Sequence, residues 1–156
     1  MVCVDDQAPQ FELVDTERQV RRLEEFQGKK TILAFYPGAF TSTCAKEMCS
    51  FRDVLAKLEG LNAQVVGISV NDPFSNSGFA EANQLNFPLL SDYNRRVTRL
   101  YGVRLNDFAG LPGYTTAQRA IFILDREGKI RYMWIADDPG QEPDYTQIMD
   151  ELANIP

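Results

Sequence analysis

Three of the 156 residues are cysteines, Cys3, Cys44 and Cys49, and none is a histidine. Without an imidazole, neither Ser-His-Asp nor Cys-His activation of a nucleophile can be assembled within this chain. Zinc sites with histidine ligands are excluded on the same ground. Three cysteines cannot complete a four-cysteine site either, so no metal is expected. Chemistry must therefore come from Cys, carboxylate, Lys, Tyr or Arg. The segment Pro37-Gly38-Ala39-Phe40-Thr41-Ser42-Thr43-Cys44 offers a place for it. A Pro/Gly turn leads into a helix that carries a cysteine in its first turn. There, unpaired N–H groups and the positive end of the helix dipole favour a thiolate. A hydroxyl three residues earlier, on Thr41, could hydrogen-bond both that thiolate and a bound oxygen. Spacing alone leaves a second option open, because free cysteine is among the most buried residue types and Cys44 could simply fill the core.

The elements that must position this segment follow from hydrophobic patterning. Thr31–Tyr36 is a continuous apolar, β-branched run closed by Pro37-Gly38, the pattern of a strand buried on both faces. Cys44, Met48, Phe51, Leu55 and Leu58 form one apolar stripe of a helix that Gly60 stops. Ser42 or Thr43 is the expected N-cap, with Glu47 near the first turn, where a negative charge suits the dipole. Phe11–Val14 and Gln19–Leu23 read as short strands, and Glu24–Gln27 as a helical or turn stretch. Ala63–Val70 reads as a second buried strand, and Pro73 opens a helix toward Leu85. Pro88–Leu90 is extended, Tyr93–Tyr101 helical and Ala109–Thr116 a loop. Ala120–Leu124 and Lys129–Ile135 pair across the turn Asp125-Arg126-Glu127-Gly128, and Glu142–Ala153 closes the chain as a helix. This order implies an α/β fold with a mixed central sheet covered on both faces by helices. No repeat or linker interrupts it, so residues 1–156 are expected to form one domain. Among known folds the order resembles thioredoxin with an N-terminal β extension.

Pro-x-x-x-Thr-x-x-Cys, as it stands in Pro37, Thr41 and Cys44, resembles the active-site motif of the peroxiredoxin family (AhpC/TSA type). Glu47 and Arg119, the latter opening Arg119-Ala120-Ile121-Phe122-Ile123-Leu124-Asp125, also fall where that family has them. The likeness runs from Ala8-Pro9-Gln10-Phe11-Glu12-Leu13 to the turn at Gly128. The resemblance implies a cofactor-free peroxidase acting on hydrogen peroxide and alkyl hydroperoxides and recycled by thioredoxin or a similar dithiol. It assigns Cys44 as the peroxidatic cysteine, with Thr41 and the Cys44 N–H binding and polarising the peroxide. Pro37 would shield the thiolate, Arg119 stabilise it and orient the oxygens, and Glu47 hold the arginine. An arginine there also makes physical sense, since its delocalised cation can take up charge on both oxygens during displacement. One departure is Ser42, where many relatives have proline; this loosens the loop but removes no catalytic group.

The spacing of Cys44 and Cys49 resembles that of the bacterioferritin comigratory protein group, also called PrxQ-like, in which the second cysteine resolves the sulfenic acid. On an intact helix, residues five apart are separated by ~140° and their Cα atoms by roughly 8.7 Å. A disulfide needs about 4.4–6.8 Å. Cys49 points toward the polar face with Arg52 and Asp53. If it resolves, the first turns of the helix must therefore unwind; otherwise it is an unoxidised surface thiol beside Met48, and an external thiol reduces Cys44 directly. Cys3 falls in an N-terminus expected to fray and to have no role, or a lesser one as an alternative resolving thiol.

Composition fits a soluble globular chain, with 44% hydrophobic and 24% charged residues. A net charge of −6 argues against nucleic acid or an anionic membrane as partner. The short clusters Arg18, Arg21, Arg22 and Arg95, Arg96, Arg99 read as solvated faces. No apolar stretch is long enough to span a membrane and no signal-peptide pattern opens the chain, so a cytoplasmic monomer or homodimer is expected. Phe40, Phe108, Leu111 and Trp134 are expected in the core, with a substrate entrance or dimer contact as alternatives. Two rival functions remain on the same fold. One is a thiol-disulfide oxidoreductase, which normally needs Cys-x-x-Cys, absent here; the other is a non-catalytic redox sensor.

Overall fold

A six-residue run with every side chain buried, Lys30–Phe35, forms the axis of the sheet. The computed structural model describes residues 2–156. In chain order the strands are β1 (Glu12–Val14), β2 (Val20–Arg22), β3 (Lys30–Phe35), β4 (Ala63–Ser69), β5 (Leu89–Ser91), β6 (Arg104–Leu105), β7 (Thr116–Ala117), β8 (Ala120–Leu124) and β9 (Ile130–Ile135). The helices are α1 (Ser42–Asp53), α2 (Leu55–Gly60), α3 (Pro73–Ala82), α4 (Arg96–Leu100) and α5 (Tyr145–Ala153). Seven strands join in the order β2-β1-β5-β4-β3-β8-β9, and β6 and β7 pair separately. β3, β4 and β5 are parallel, while β8 lies antiparallel on β3 and β9 on β8. The sheet is thus mixed, as expected, with parallel strands in its buried centre.

Alternation along β3 divides the interior in two. Leu33 and Phe35 face a core with Phe11, Val97, Tyr101 and Phe122. Ile32, Ala34 and Tyr36 face the other, with Met48, Phe51, Leu58, Phe79, Ile148 and Leu152. The second core is therefore roofed by α1, α2, α3 and α5, and Cys44 belongs to it. Each large apolar side chain buried this way contributes roughly 1.5–3 kcal/mol. Among the described residues, no helix is long and apolar enough to cross a membrane.

Several expected boundaries move, each for a visible reason. The single helix expected from Cys44 to Gly60 is broken at Val54 (φ −104°, ψ 7°). The Val54 N–H is shared between the carbonyls of Ser50 (3.3 Å) and Phe51 (3.2 Å). Phe51 and Leu58 are buried on either side of the break while Leu55 is only half-buried. α3 stops at Ala82 rather than Leu85 because Gln84 turns left-handed (φ 54°) and the Leu85 N–H reaches back to the Ala80 carbonyl at 2.9 Å. That is a Schellman closure with Gln where glycine is usual. α4 is confined to Arg96–Leu100, since Asp92 accepts the N–H groups of Val97 and Thr98 while Arg95 is left-handed (φ 64°). The stretch expected as a loop, Ala109–Thr116, overlaps a 3-10 turn at Phe108–Gly110 and ends on the first residue of β7. The N-terminus does not fray at residue 5: the Asp5 N–H donates to the Ile130 carbonyl (2.7 Å) and the Ala8 N–H to that of Gly128 (2.9 Å). Cys3 itself is exposed.

Candidate active site

Two neighbouring strand ends create the site. β3 delivers the chain to the loop Tyr36–Thr41, which turns straight into α1. Phe35 pairs with Ala120 in the antiparallel register of β8, so Arg119 lies one residue beyond the ladder, beside the end of β3. Its carbonyl accepts the Ala136 N–H at 2.9 Å, which fixes the backbone on the β9 side as well.

The loop is held at several points. Pro37 and Gly38 are buried, the Ala39 N–H donates to Asn71 Oδ1 (2.8 Å), and the Tyr36 N–H donates to the Ile68 carbonyl (3.0 Å). Tyr36 Oη donates to Asn76 Oδ1 at 2.7 Å deep in the second core. Phe40 adopts φ 65°, a left-handed conformation costing a non-glycine residue about 1–3 kcal/mol that the surrounding bonds must offset. Thr41, not Ser42 or Thr43, is the N-cap of α1, and it makes no side-chain capping bond. Its hydroxyl instead donates to the Gly38 carbonyl at 2.8 Å, leaving the oxygen lone pairs as its free capacity.

Cys44 sits in the first turn, ahead of the first helical hydrogen bond, from the Ala45 N–H to the Thr41 carbonyl (2.9 Å). Its side chain is fully buried. Arg119 is only 1% exposed, and its Nη2 lies 3.3 Å from Cys44 Sγ. The same nitrogen donates to the Pro139 carbonyl and Nη1 to Glu47 Oε1, each at 2.8 Å. Glu47 is wholly buried, one turn after Cys44, and is not the first-turn carboxylate that the dipole argument required. Burial pushes its carboxyl up to about 7, against the pull of the guanidinium. For Arg119, burial acts to lower the pKa, but Glu47 and the Cys44 sulfur outweigh it and hold the group above its usual value. Glu47 Oε2 and Arg119 Nε have no partner among the described residues, so the pair is joined by a single bond rather than a fork.

The pieces that residue types did not signal are Pro139, which contributes only a carbonyl, and Asn71, which the sequence marks as part of a helix start. Cys49 is half-buried, with Sγ 3.6 Å from Asn83 Oδ1, rather than lying on an open polar face. Phe40 (62% exposed) and Leu111 (54% exposed) are not core, and Phe108 and Trp134 are half-buried. Phe108 lies near Gly38, where an added Cβ would meet its ring at 3.7 Å. The arginine clusters are not purely solvated: Arg21 pairs with Glu25 and Asp15, and Arg95 Nε donates to the Thr115 carbonyl.

The arrangement holds a sulfur beside a fixed cation in a buried site. Residues 4–133 match the model of the AhpC/TSA family. The chain is 37% identical over 126 residues to a chloroplastic peroxiredoxin Q of Gentiana triflora, covering 81% of this chain but only 56% of that protein. It thus spans little more than half the length of that plant relative. A putative peroxiredoxin Bcp of Coxiella burnetii is 37% identical, with 84% of this chain and 87% of that one aligned. The crystal structure of the peroxidoxin BcpB from Mycobacterium tuberculosis superposes with a TM-score of 0.86 at 28% identity, covering 98% and 97% of the two chains. The chain belongs to the AhpC/TSA family, on a thioredoxin-like fold.

Proposed function

We propose that this protein is a single-domain thiol peroxidase, a peroxiredoxin, that reduces hydrogen peroxide and alkyl hydroperoxides in the cytoplasm through Cys44. The observation that carries the proposal is the guanidinium of Arg119, 3.3 Å from a sulfur in the first turn of a helix. Cation and helix dipole both lie beside the sulfur from which negative charge is transferred to oxygen in the attack. The thiolate attacks one peroxide oxygen, so an S–O bond forms as the O–O bond breaks. The departing oxygen leaves as water or alcohol after taking up a proton, and Cys44 becomes a sulfenic acid. Arg119 stabilises the charge that spreads over both oxygens, a task it is pre-positioned for by Glu47 and the Pro139 carbonyl. The Cys44 N–H donates to the peroxide, the Thr41 oxygen accepts from it, and Pro37 keeps bulk water from the sulfur.

Cys49 then attacks the sulfenic sulfur. The S–S bond forms and the hydroxyl leaves with a proton as water, after which thioredoxin or a similar dithiol reduces the disulfide. Helix geometry requires α1 to unwind first. Stopped-flow measurement of peroxide consumption tests the proposal: rapid, stoichiometric loss of peroxide with no reduction of insulin disulfides is the expected result. Insulin reduction without peroxide consumption would make the protein a dithiol oxidoreductase instead.

A further inference from the structure

Any route from the sulfenic acid to the disulfide must take Cys49 away from what it now touches, and that contact is specific. Cys49 Sγ lies 3.6 Å from Asn83 Oδ1, at the end of α3. Asn83 is immobilised on three sides. Its own N–H donates to the Phe79 carbonyl at 3.1 Å, its Nδ2 to the same carbonyl at 3.0 Å, and its carbonyl accepts Arg52 Nη1 of α1 at 2.6 Å. With Nδ2 committed to Phe79, the amide oxygen is the atom left to face the thiol, which donates its S–H.

We propose that Asn83 is a positioning residue that latches the middle of α1 against α3, setting how fast Cys49 reaches Cys44; this rests on the peroxidase function with Cys49 resolving. Two features of the helix favour the assignment. α1 ends at Val54, so its unwinding does not have to propagate into α2. Phe51 is buried and packs edge-on against Tyr145 at 5.6 Å, anchoring the helix beyond Cys49. Unwinding of the first two turns then swings Cys49 while Phe51 stays, and Asn83 is the side chain whose hydrogen bond Cys49 itself must break. The latch holds the peroxide-reactive form together. While it is closed, the sulfenic acid is exposed to a second peroxide and to sulfinic acid formation. Opening it commits the sulfur to the disulfide, with the Cys44 S–O bond replaced by S–S and the hydroxyl released as water.

The test separates the two steps on the full chain. With hydrogen peroxide as oxidant, the rate of Cys44 oxidation and the rate of Cys44–Cys49 disulfide formation are measured separately by rapid quench and mass spectrometry. Asn83→Ala is expected to leave the first rate unchanged and raise the second roughly threefold, the size of one weak hydrogen bond. The ratio of sulfinic acid to disulfide at a given excess of peroxide should fall by the same factor. Arg52→Ala, which frees the Asn83 backbone carbonyl and leaves its side chain in place, is expected to act in the same direction and more weakly. A merely structural role would alter both steps or neither. Unchanged or slower disulfide formation in Asn83→Ala would overturn the latch and leave the resolving role of Cys49 intact. Absence of a Cys44–Cys49 disulfide in the unsubstituted protein would overturn both.

Discussion

Cys44 and Cys49 lie five residues apart on one helix, yet their surroundings differ in kind. Cys44 is sealed from solvent in the first turn, with a guanidinium at 3.3 Å. Cys49 is half-buried at the end of the second turn, against a neutral amide oxygen at 3.6 Å. The first setting places a cation beside the sulfur; the second places a hydrogen-bond acceptor there. Side-chain type therefore does not divide the labour between them. In the proposed cycle the division comes from the helix terminus, the start of β8 and the end of α3.

Four substitutions bear on that contrast, from the largest expected effect down. Cys44→Ser is expected to lower peroxide consumption roughly 10,000-fold or more, as loss of a nucleophile does; residual rapid consumption would transfer the chemistry to another sulfur. Cys49→Ser should leave the first turnover intact and halt cycling with a thioredoxin donor, measured as NADPH oxidation in a coupled assay. Normal cycling would remove the resolving role and leave the contrast one-sided. Arg119→Ala should slow the first step roughly 100-fold, the size of losing one preorganised charge-stabilising donor. Glu47→Gln should cost about tenfold in the same step, because the guanidinium loses one of its anchors and shifts.

Glu47 also gives the comparison a pH signature. Its folded-state carboxyl is raised to about 7 by burial, above the value of an unfolded chain. The folded protein therefore binds the proton more tightly than the unfolded one. Stability from this group is fully present below the unfolded pKa and is lost as pH rises through about 7. Urea unfolding across that window should show stability falling with pH in the unsubstituted protein and a flatter profile in Glu47→Gln.

Much of this was legible in the residues. The buried run at Thr31–Tyr36, the hairpin at Asp125–Gly128 and the helix head at Cys44 each carry a strong local pattern, and each stands within a residue or two of where it was expected. What local pattern lacks is the third dimension. Residues 44 and 119 are 75 apart in sequence, and only the antiparallel register of β8 on β3 brings them together. Glu47 looks like a helix-surface carboxylate until that arginine arrives opposite it. The break at Val54 escaped detection because Leu55 and Leu58 continue the apolar stripe unbroken. The early end of α3 escaped because Gln84 takes a backbone conformation usually signalled by glycine. Asn83 had no local mark at all, since its importance comes entirely from what α1 presents to it.

The most direct measurement is peptide-mapping mass spectrometry of Cys49→Ser protein after one equivalent of hydrogen peroxide, with the sulfenic acid trapped by a dimedone-type reagent. The account expects the label on the peptide containing Cys44, with Cys3 unmodified. A label on Cys3, or an unlabelled Cys44 with peroxide left unconsumed, would contradict it.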